Sequence, residues 1–455
     1  MRPRRTRTEG EAVARSLFWS KFWIRTRLAG LFPSVRRLVG PETAALRYYS
    51  DRVLAAPIER LLDPALFPPA AGPHVVDLNL AAPRFETASS LNRLSIDRDG
   101  QPHARGLEEL RDAIAADALI RNGIALDPGE QVQVTHGAAG AYAAALDAFV
   151  NPDDRVVVFD PCSPLFALGA ASRRARVMWV PTWIEDGRCR FHPAALRKAL
   201  RGAKLLAFSD PGNPTGASFS LDDRELIATM AAKSDTLVYQ DDSFGRFRPQ
   251  GESHSLATFP LATNRTLLAG SATSLGLGSA RVGWLCGPRG LINAVSVAAN
   301  LSAPFVPAAC QHIATRALRE TDDQAFAPIR EQFRSRRQFA FDRLQAMGLQ
   351  PESSSGGYFL WVNIAHLGMT GRVFAEQLYQ HRQVLIGPGD LYSPTARTHI
   401  RVSFAIEDGR LREGLMRMAS FLNGEPAPDM PKAERPEREE PRVFNDIRRP
   451  AFSRA

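Results

Sequence analysis

The sequence predicts an α/β fold: a large domain with a mostly parallel β-sheet and a smaller C-terminal α+β domain. The first observation is a series of short apolar runs, several without polar alternation, at 132–135, 156–159, 205–209, 236–240 and 266–268. Such runs are typical of strands buried on both faces. The second is that helical segments separate these runs, as parallel strands require. The third is the length of 455 residues, which suits two domains.

We expect four segments along the chain. Residues 1–74 form a basic N-terminal arm with an amphipathic helix, and residues 75–330 hold the N-terminal part of the small domain followed by the large domain. Residues 331–424 form the C-terminal small domain. Residues 425–455 form a disordered tail, because prolines among mixed charges do not support a packed core.

The net charge of +9 is concentrated in the arm, where residues 1–40 hold ten Lys and Arg against two Glu. The remainder is nearly neutral, so we expect no nucleic-acid partner for the folded body. Residues 14–38 place apolar side chains on one helical face and basic ones on the other. This segment could make a peripheral contact with an anionic membrane. The alternative, which we favour, is packing on the body or on a second subunit.

The composition favours a cytoplasmic protein. The four cysteines form neither a CxxC pair nor a dense disulfide framework, so we expect buried thiols in a reducing compartment; they are Cys162, Cys189, Cys286 and Cys310. We find no run of eighteen apolar residues and expect no membrane span.

A candidate anion site follows the first of the predicted strands. Segment 134–141 (VTHGAAGA) joins that strand to an alanine-rich helix through the small residues Gly137, Ala138 and Ala139. An anion can approach the backbone N–H groups at such a helix start, which predicts a phosphate cradle. Small residues at this junction also serve tight strand–helix packing, so the motif is weak alone.

Two polar side chains follow other predicted strands. Segment 210–216 (DPGNPTG) fixes the amide of Asn213 at the carboxyl end of a strand, and Asp241 ends the next predicted strand. Asp242 is the alternative carboxylate, which we expect to be structural. Ligands bind α/β sheets at the carboxyl ends of the strands, so this edge is the expected site.

These segments, followed by 279–284 (SARVGW), 355–361 (SGGYFLW) and 399–405 (HIRVSFA), resemble the class I/II aminotransferases in their order. The resemblance runs from about residue 75 to residue 422. Its members are fold-type I enzymes dependent on pyridoxal 5′-phosphate (PLP), which implies a PLP-binding large domain, an amino-acid or keto-acid substrate and a homodimer.

The resemblance also implies a role for each retained polar residue. Asn213 would donate to the phenolic oxygen of PLP, and Asp241 would pair with its pyridine nitrogen, which makes the cofactor an electron sink. Arg281 would grip the phosphate beside Gly137, Ala138 and Ala139. Arg401 would bind the substrate's α-carboxylate by a two-pronged contact.

The family's Schiff-base lysine is missing. In the family it lies eight residues before the phosphate-binding arginine, which gives Thr273 here, or Ser274 if the register shifts by one. The chain has five lysines, none in a segment that could replace it: Lys21, Lys198, Lys204, Lys233 and Lys432. Three other family positions have also changed, to Phe244, Ser163 and Gly270.

Three functions compete. The first is an aminotransferase-like enzyme that binds PLP, pyridoxamine phosphate (PMP) or an amino-acid aldimine noncovalently, with conventional lysine-dependent transamination doubtful. The second is a noncatalytic partner subunit or ligand sensor. The third, a transcription regulator, needs a DNA-reading domain that residues 1–74 do not suggest. Four polar groups of the family's site are retained, which favours the first function, because random sequence change in a protein without a ligand would not keep them all. They are Asn213, Asp241, Arg281 and Arg401.

Overall fold

The computed structural model describes residues 74–80, 82–83, 104–249 and 255–426. The predicted amphipathic helix at 14–38, and with it the membrane contact, lies outside this range, as does nearly all of the predicted tail. Within the described residues, no helix is both long enough and apolar enough to cross a membrane. Three of the four free cysteines are buried as expected, whereas Cys310 is only half-buried.

Fourteen strands lie in the described part of the chain. They are β1 (Val76–Asp77), β2 (Val132–Thr135), β3 (Arg155–Asp160), β4 (Arg176–Glu185), β5 (Arg188–Phe191), β6 (Ala203–Ser209), β7 (Leu237–Asp241), β8 (Thr266–Ser271), β9 (Gly283–Cys286), β10 (Gln350–Pro351), β11 (Phe359–Asn363), β12 (Val384–Leu385), β13 (Gly387–Pro388) and β14 (His399–Ser403).

Ten α-helices accompany these strands in the described residues. They are α1 (Glu108–Asn122), α2 (Gly137–Phe149), α3 (Pro164–Ser172), α4 (Pro193–Leu200), α5 (Leu221–Lys233), α6 (Arg289–Ser302), α7 (Ala308–Glu320), α8 (Asp323–Ala346), α9 (Gly371–Arg382) and α10 (Asp408–Leu422).

The large sheet has eight strands in the order β2-β9-β8-β7-β6-β3-β4-β5. Strands β8, β7, β6, β3 and β4 are mutually parallel. Strand β9 runs antiparallel between β8 and β2, and β5 closes the other edge as a hairpin. The prediction of a mostly parallel sheet is therefore confirmed. The five predicted strands fall on β2, β3, β6, β7 and β8.

Helices cover both faces of this sheet, which explains the uninterrupted apolar runs. In β3, Val156 and Val158 pack with residues of α2 and α6, whereas Val157 and Phe159 pack with residues of α4 and α5. Successive side chains of a strand point to opposite faces, so both faces of β3 are buried. All six residues of β8 are likewise buried.

The smaller unit is a four-stranded antiparallel sheet, β10-β11-β14-β13, packed with α8, α9 and α10. Strand β1 pairs in parallel with β12, so residues that precede the large sheet in sequence join the small unit. This pairing brings the chain after β1 close to β14. The predicted boundary between 330 and 331 falls inside α8, and its exact position stays a proposal.

Candidate active site

The candidate polar residues converge at one edge of the large sheet. Strands β6, β7 and β8 are parallel neighbours, so their carboxyl ends lie side by side. The loop of Asn213 follows β6, Asp241 ends β7, and the turn containing Thr273 follows β8. This arrangement agrees with the rule that α/β sheets bind ligands beyond the carboxyl ends of their strands.

Asp241 is a buried carboxylate that lacks a cationic partner among the described residues. It is 8% exposed, and one carboxylate oxygen accepts a hydrogen bond from the Ser243 backbone N–H at 2.9 Å. Burial raises the pKa of Asp241 to about 6; hydrogen bonds from Ser243 oppose this rise and the negative charge of Asp242 adds to it. A cation such as a protonated ring nitrogen would compensate this buried charge.

Asp242, in contrast, is already neutralised. Its Oδ1 lies 2.9 Å from Nη2 of Arg248, and its Oδ2 lies 3.2 Å from Nη2 of Arg121. The Asn122 side-chain amide also donates to Oδ2 at 3.3 Å. These contacts make Asp242 a structural anchor, which favours Asp241 as the carboxylate for a ligand.

Arg401 connects the two halves of the site. Its Nη1 donates to Oδ1 of Asn213 at 2.9 Å, and its Nη2 donates to both the carbonyl oxygen and Oδ1 of Asn79 at 2.8 Å. Arginine has no acceptor atom, so the Asn213 amide presents its oxygen to Arg401 and keeps its NH₂ group for another acceptor. A phenolic oxygen at that point would receive such a hydrogen bond.

The Arg401 guanidinium is buried between aromatic rings. It is 3% exposed, and its central carbon lies 4.1 Å from the Phe359 ring centre and 4.9 Å from that of Tyr392. Burial lowers the pKa of Arg401. No carboxylate of the described residues hydrogen-bonds to it or pairs with it, and its Nε–H has no acceptor there. A carboxylate ligand would supply the missing anion.

The guanidinium of Arg281 lies beside the backbone where α2 begins. Gly137 has a φ of +71°, and a Cβ added to it would lie 2.9 Å from Nη2 of Arg281. A Cβ on Gly283 would lie 2.7 Å from the backbone nitrogen of Ala138. Glycine is therefore required at both positions. Arg281 is exposed and makes no hydrogen bond or ion pair with any described residue, so its charge and the start of α2, including the half-buried Ala139, face the same space.

The turn after β8 contains both candidate positions for the missing lysine, Thr273 and Ser274, and the two differ in burial. Ser274 is 5% exposed, and its hydroxyl donates to the Ser271 carbonyl oxygen at 2.9 Å. Thr273 is only half-buried, and its Oγ1 accepts from the Ser271 hydroxyl at 3.0 Å. Thr273 therefore has the more accessible side chain, which favours its register.

No lysine of the described residues lies near this edge. Lys198, Lys204 and Lys233 are all exposed, and they lie at the end of α4, the start of β6 and the end of α5. Each of these points is next to the amino end of β6 or β7, across the sheet from Asp241. None of these three amines replaces the missing one.

Two of the three other altered positions are packed. A Cβ on Gly270 would lie 2.4 Å from Nε1 of Trp284, so the indole fills the space of a serine side chain. Phe244 is 8% exposed and its ring centre lies 5.2 Å from that of Tyr358. Ser163 precedes α3 without a side-chain capping hydrogen bond. Aromatic rings thus fill the space at Gly270 and Phe244, whereas Ser163 is half-buried.

Sequence reasoning missed Asn79 and Arg248. Asn79 bonds to a residue 322 positions later, and only the pairing of β1 with β12 brings the two together. Arg248 lies seven residues after Asp241 and contacts the loops after both β6 and β7. The only sequence signal for Arg248 was the presence of an arginine close to the end of a predicted strand.

Comparison with known proteins agrees with this geometry. The sequence model described as aminotransferase class I and II matches residues 81–418. An arginine–pyruvate transaminase of Pseudomonas aeruginosa is 30% identical over 76% of this chain and 90% of its own length. An aspartate aminotransferase of Pyrococcus abyssi is 27% identical over 78% of this chain and 94% of its own.

Solved structures show the same architecture. An N-succinyldiaminopimelate aminotransferase of Mycobacterium tuberculosis superposes with a TM-score of 0.74 at 25% identity, covering 82% of this chain and all of its own. An aspartate aminotransferase of Thermus thermophilus with maleate gives 0.72 at 26%, covering 82% and 98%.

The fold is therefore that of the fold-type I PLP-dependent transferases. Within that class, the chain belongs to the class I and II aminotransferase family. Enzymes of this family use PLP, act on amino acids and keto acids, and are commonly dimeric.

Proposed function

We propose that this protein binds PLP or PMP noncovalently, together with an amino acid or keto acid, as an aminotransferase-like enzyme without a catalytic lysine. The observation that carries the proposal is a pair of buried groups of opposite charge, Asp241 and Arg401, neither of which has an ion-pair partner among the described residues. Burying such groups is costly unless a ligand compensates them. A ligand with a cationic ring nitrogen and a carboxylate compensates both.

Each polar group has a task in this assignment. When bound, PLP supplies an electron sink for the bonds at the substrate Cα. Asp241 holds the ring nitrogen protonated, and the Asn213 amide donates to the phenolic oxygen. Arg281 and the backbone of Gly137, Ala138 and Ala139 hold the phosphate, while Arg401 orients the substrate by its carboxylate.

The position of the missing lysine, Thr273, sets the expected rate. An alcohol is not a base near neutral pH, so Thr273 does not take over proton transfer at the substrate Cα. Loss of a general base typically costs about 10²- to 10⁴-fold. We therefore expect slow turnover, with protons moved by water.

The alternative function is a noncatalytic partner subunit or ligand sensor. The observation in its favour is the replacement of three family contacts at Phe244, Ser163 and Gly270, which leaves fewer groups around the cofactor ring. Both functions include ligand binding, so only turnover separates them: an enzyme transfers the amino group of bound PMP to a keto acid, whereas a sensor does not.

We also propose a homodimer located in the cytoplasm, without a nucleic-acid partner. An apolar stripe supports the dimer: Val297 and Leu301 of α6 and the nearby Phe305 are 62%, 83% and 47% exposed among the described residues. Val297 and Leu301 are four residues apart and lie on one face of α6, and Phe305 lies in the loop that follows the helix. The peripheral membrane contact through residues 14–38 stays a prediction.

The deciding experiment is a PLP titration followed by absorbance and fluorescence, before and after borohydride. We expect saturable binding that gel filtration reverses and borohydride does not trap on the protein. Asp241→Asn should weaken this binding, whereas Asp342→Asn, a change on α8 in the small unit, should not. A borohydride-stable pyridoxyl group on any lysine, or no saturable binding, contradicts the proposal.

A further inference from the structure

Arg248 links the two loops that carry the ring-contacting residues. It is 2% exposed and follows a short 3₁₀ turn, Gly245–Phe247, after β7. Its Nη2 donates to the backbone carbonyl oxygen of Asp210 and lies 2.9 Å from Oδ1 of Asp242. Asp210 opens the loop that holds Asn213, and Asp242 directly follows Asp241. One guanidinium thus contacts both loops.

Three aspartates lie near Arg248 or next to its partners, and they differ in the number of arginines that contact them. Asp210 is fully buried, and its Oδ2 accepts from Nε of Arg224 at 2.7 Å. Burial alone would raise the pKa of Asp210, but Arg224 and Arg248 bring it below its usual value. Asp242 has Arg121 and Arg248. Asp241 alone of the three has no arginine contact among the described residues.

We propose that Arg248 is a positioning residue: by tying the loop of Asn213 to the end of β7, it fixes the separation of the Asn213 amide and the Asp241 carboxylate. The assignment of a planar pyridine ring to the space between them rests on the proposed function above. Arg248 itself touches neither group. It acts through Asp210 on one side and Asp242 on the other.

The guanidinium of Arg248 also affects the ionisation of Asp241. The negative charge of Asp242 already disfavours ionisation of Asp241, and Arg248 compensates that charge. Without Arg248, the neighbourhood of the ring nitrogen becomes more negative, and its protonated form is favoured. Removal of Arg248 should therefore shift the titration of the bound chromophore to higher pH.

The test compares Arg248→Met and Arg248→Lys with the control Arg336→Met, which removes another buried arginine, ion-paired to Asp408 in the small unit. We expect Arg248→Met to weaken PLP binding by about tenfold or more, as for loss of a charged hydrogen bond. Its chromophore should titrate at higher pH. Arg248→Lys keeps the charge but not the planar guanidinium. Its pH profile should therefore be closer to that of the wild-type protein than its PLP affinity is. Arg336→Met should lower the melting temperature and leave both readouts unchanged.

Ligand-free crystal structures give an independent readout. We expect the separation between Cγ of Asn213 and Cγ of Asp241 to change in Arg248→Met, or in Arg248→Lys if the first variant does not fold, and to stay constant in Arg336→Met. An unchanged separation overturns the positioning role, as does wild-type PLP affinity and pH profile in Arg248→Met. Failure of the wild-type protein to bind PLP removes the proposed function instead, and the separation then decides the role of Arg248.

Discussion

At the scale of single residues, Arg401 uses a geometry that lysine cannot copy. Its planar fork bonds Asn213 and Asn79 at once while lying between two aromatic rings. A lysine ammonium keeps the charge but neither the fork nor the stacking surface. The charge of Arg401 alone therefore does not define the carboxylate site.

We predict that Arg401→Lys weakens binding of an amino-acid or keto-acid ligand by about 10- to 100-fold, the range for loss of charged hydrogen bonds. Calorimetry in the presence of PLP measures the change. Arg397→Lys is the matched control, because Arg397 precedes the same strand and is exposed. Equal affinity of Arg401→Lys and wild-type protein would remove Arg401 from the site.

Thr273 gives the second residue-scale prediction. Thr273→Lys places an amine at the accessible position of the turn, and the nearby cation Arg281 with partial burial favours its reactive neutral form. We expect a covalent PLP attachment, seen as a visible absorbance band that borohydride bleaches and as a matching mass increase on residue 273.

Ser274→Lys is the control for register and should stay unmodified, because the Ser274 side chain is buried against the Ser271 carbonyl group. A folded Thr273→Lys protein without the band, with Ser274→Lys also negative, would show that PLP does not take the family's pose. The noncatalytic alternative would then be preferred.

The retained polar residues could be predicted because each lies in a short motif directly after a strand or turn. Asp241 and Asn213 belong to this group. Asn79 and Arg248 could not, because their roles depend on contacts between segments distant in sequence. The packing of Trp284 over Gly270 was equally hidden, since it depends on the register of β8 with β9.

At the scale of elements, hydrogen bonds connect the small unit to the loop that contains Asn213. The Gly356 N–H donates to the Gly216 carbonyl oxygen at 2.9 Å, and the Ser218 N–H donates to the Ser355 hydroxyl at 3.2 Å. Gly216 has a φ of +68°, and a Cβ there would lie 2.7 Å from the Phe359 carbonyl oxygen. A side chain at residue 216 would therefore disturb this contact.

Glu352, in the same inter-unit contact, gives an element-scale prediction on pH. Burial raises its pKa from 4.5 to about 7. Because the folded-state pKa is raised, the stabilisation is complete below the unfolded-state pKa and is lost as pH rises through about 7. Glu352→Gln mimics the protonated acid, so it should stabilise the protein at pH 8.5 by on the order of 2 kcal/mol and have little effect near pH 4.5.

Thermal melts of Glu352→Gln at the two pH values measure this difference. Glu225→Gln, at an exposed position on α5, is the control and should change stability little at either pH. An equal gain for Glu352→Gln at acid and alkaline pH would show that folding does not raise the pKa of this carboxyl group.

Most of the predicted strands are buried on both faces and have almost uniformly apolar sequences. In strand β4, residues 181–185 alternate between exposed and half-buried, and this strand was not predicted. Strands β1, β10, β12 and β13 have two residues each, too few for any periodic pattern. Their existence depends on tertiary pairing.

At the scale of the whole molecule, the apolar stripe of Val297, Leu301 and Phe305 predicts how two copies associate. Leu301→Glu places a charge at the residue with the greatest exposure of the three, 83%. We expect it to convert the proposed dimer into monomers, because burying an unpaired carboxylate at an interface is unfavourable. Sedimentation equilibrium measures the mass.

Met416→Glu is the control, since Met416 is 66% exposed on α10 in the small unit and outside the stripe. It should leave the mass unchanged. A dimer of wild-type stability in Leu301→Glu would place the interface elsewhere.

The contacts of Arg401 also determine when the site forms as the chain folds. Its partners lie 188 and 322 positions earlier in the sequence. Contacts between such distant positions raise the contact order, and their loop-closure entropy must be offset before they stabilise anything. We therefore expect the contacts of Arg401 to form late in folding. A carboxylate ligand binds only the completed fold, so it should slow unfolding while leaving the refolding rate unchanged.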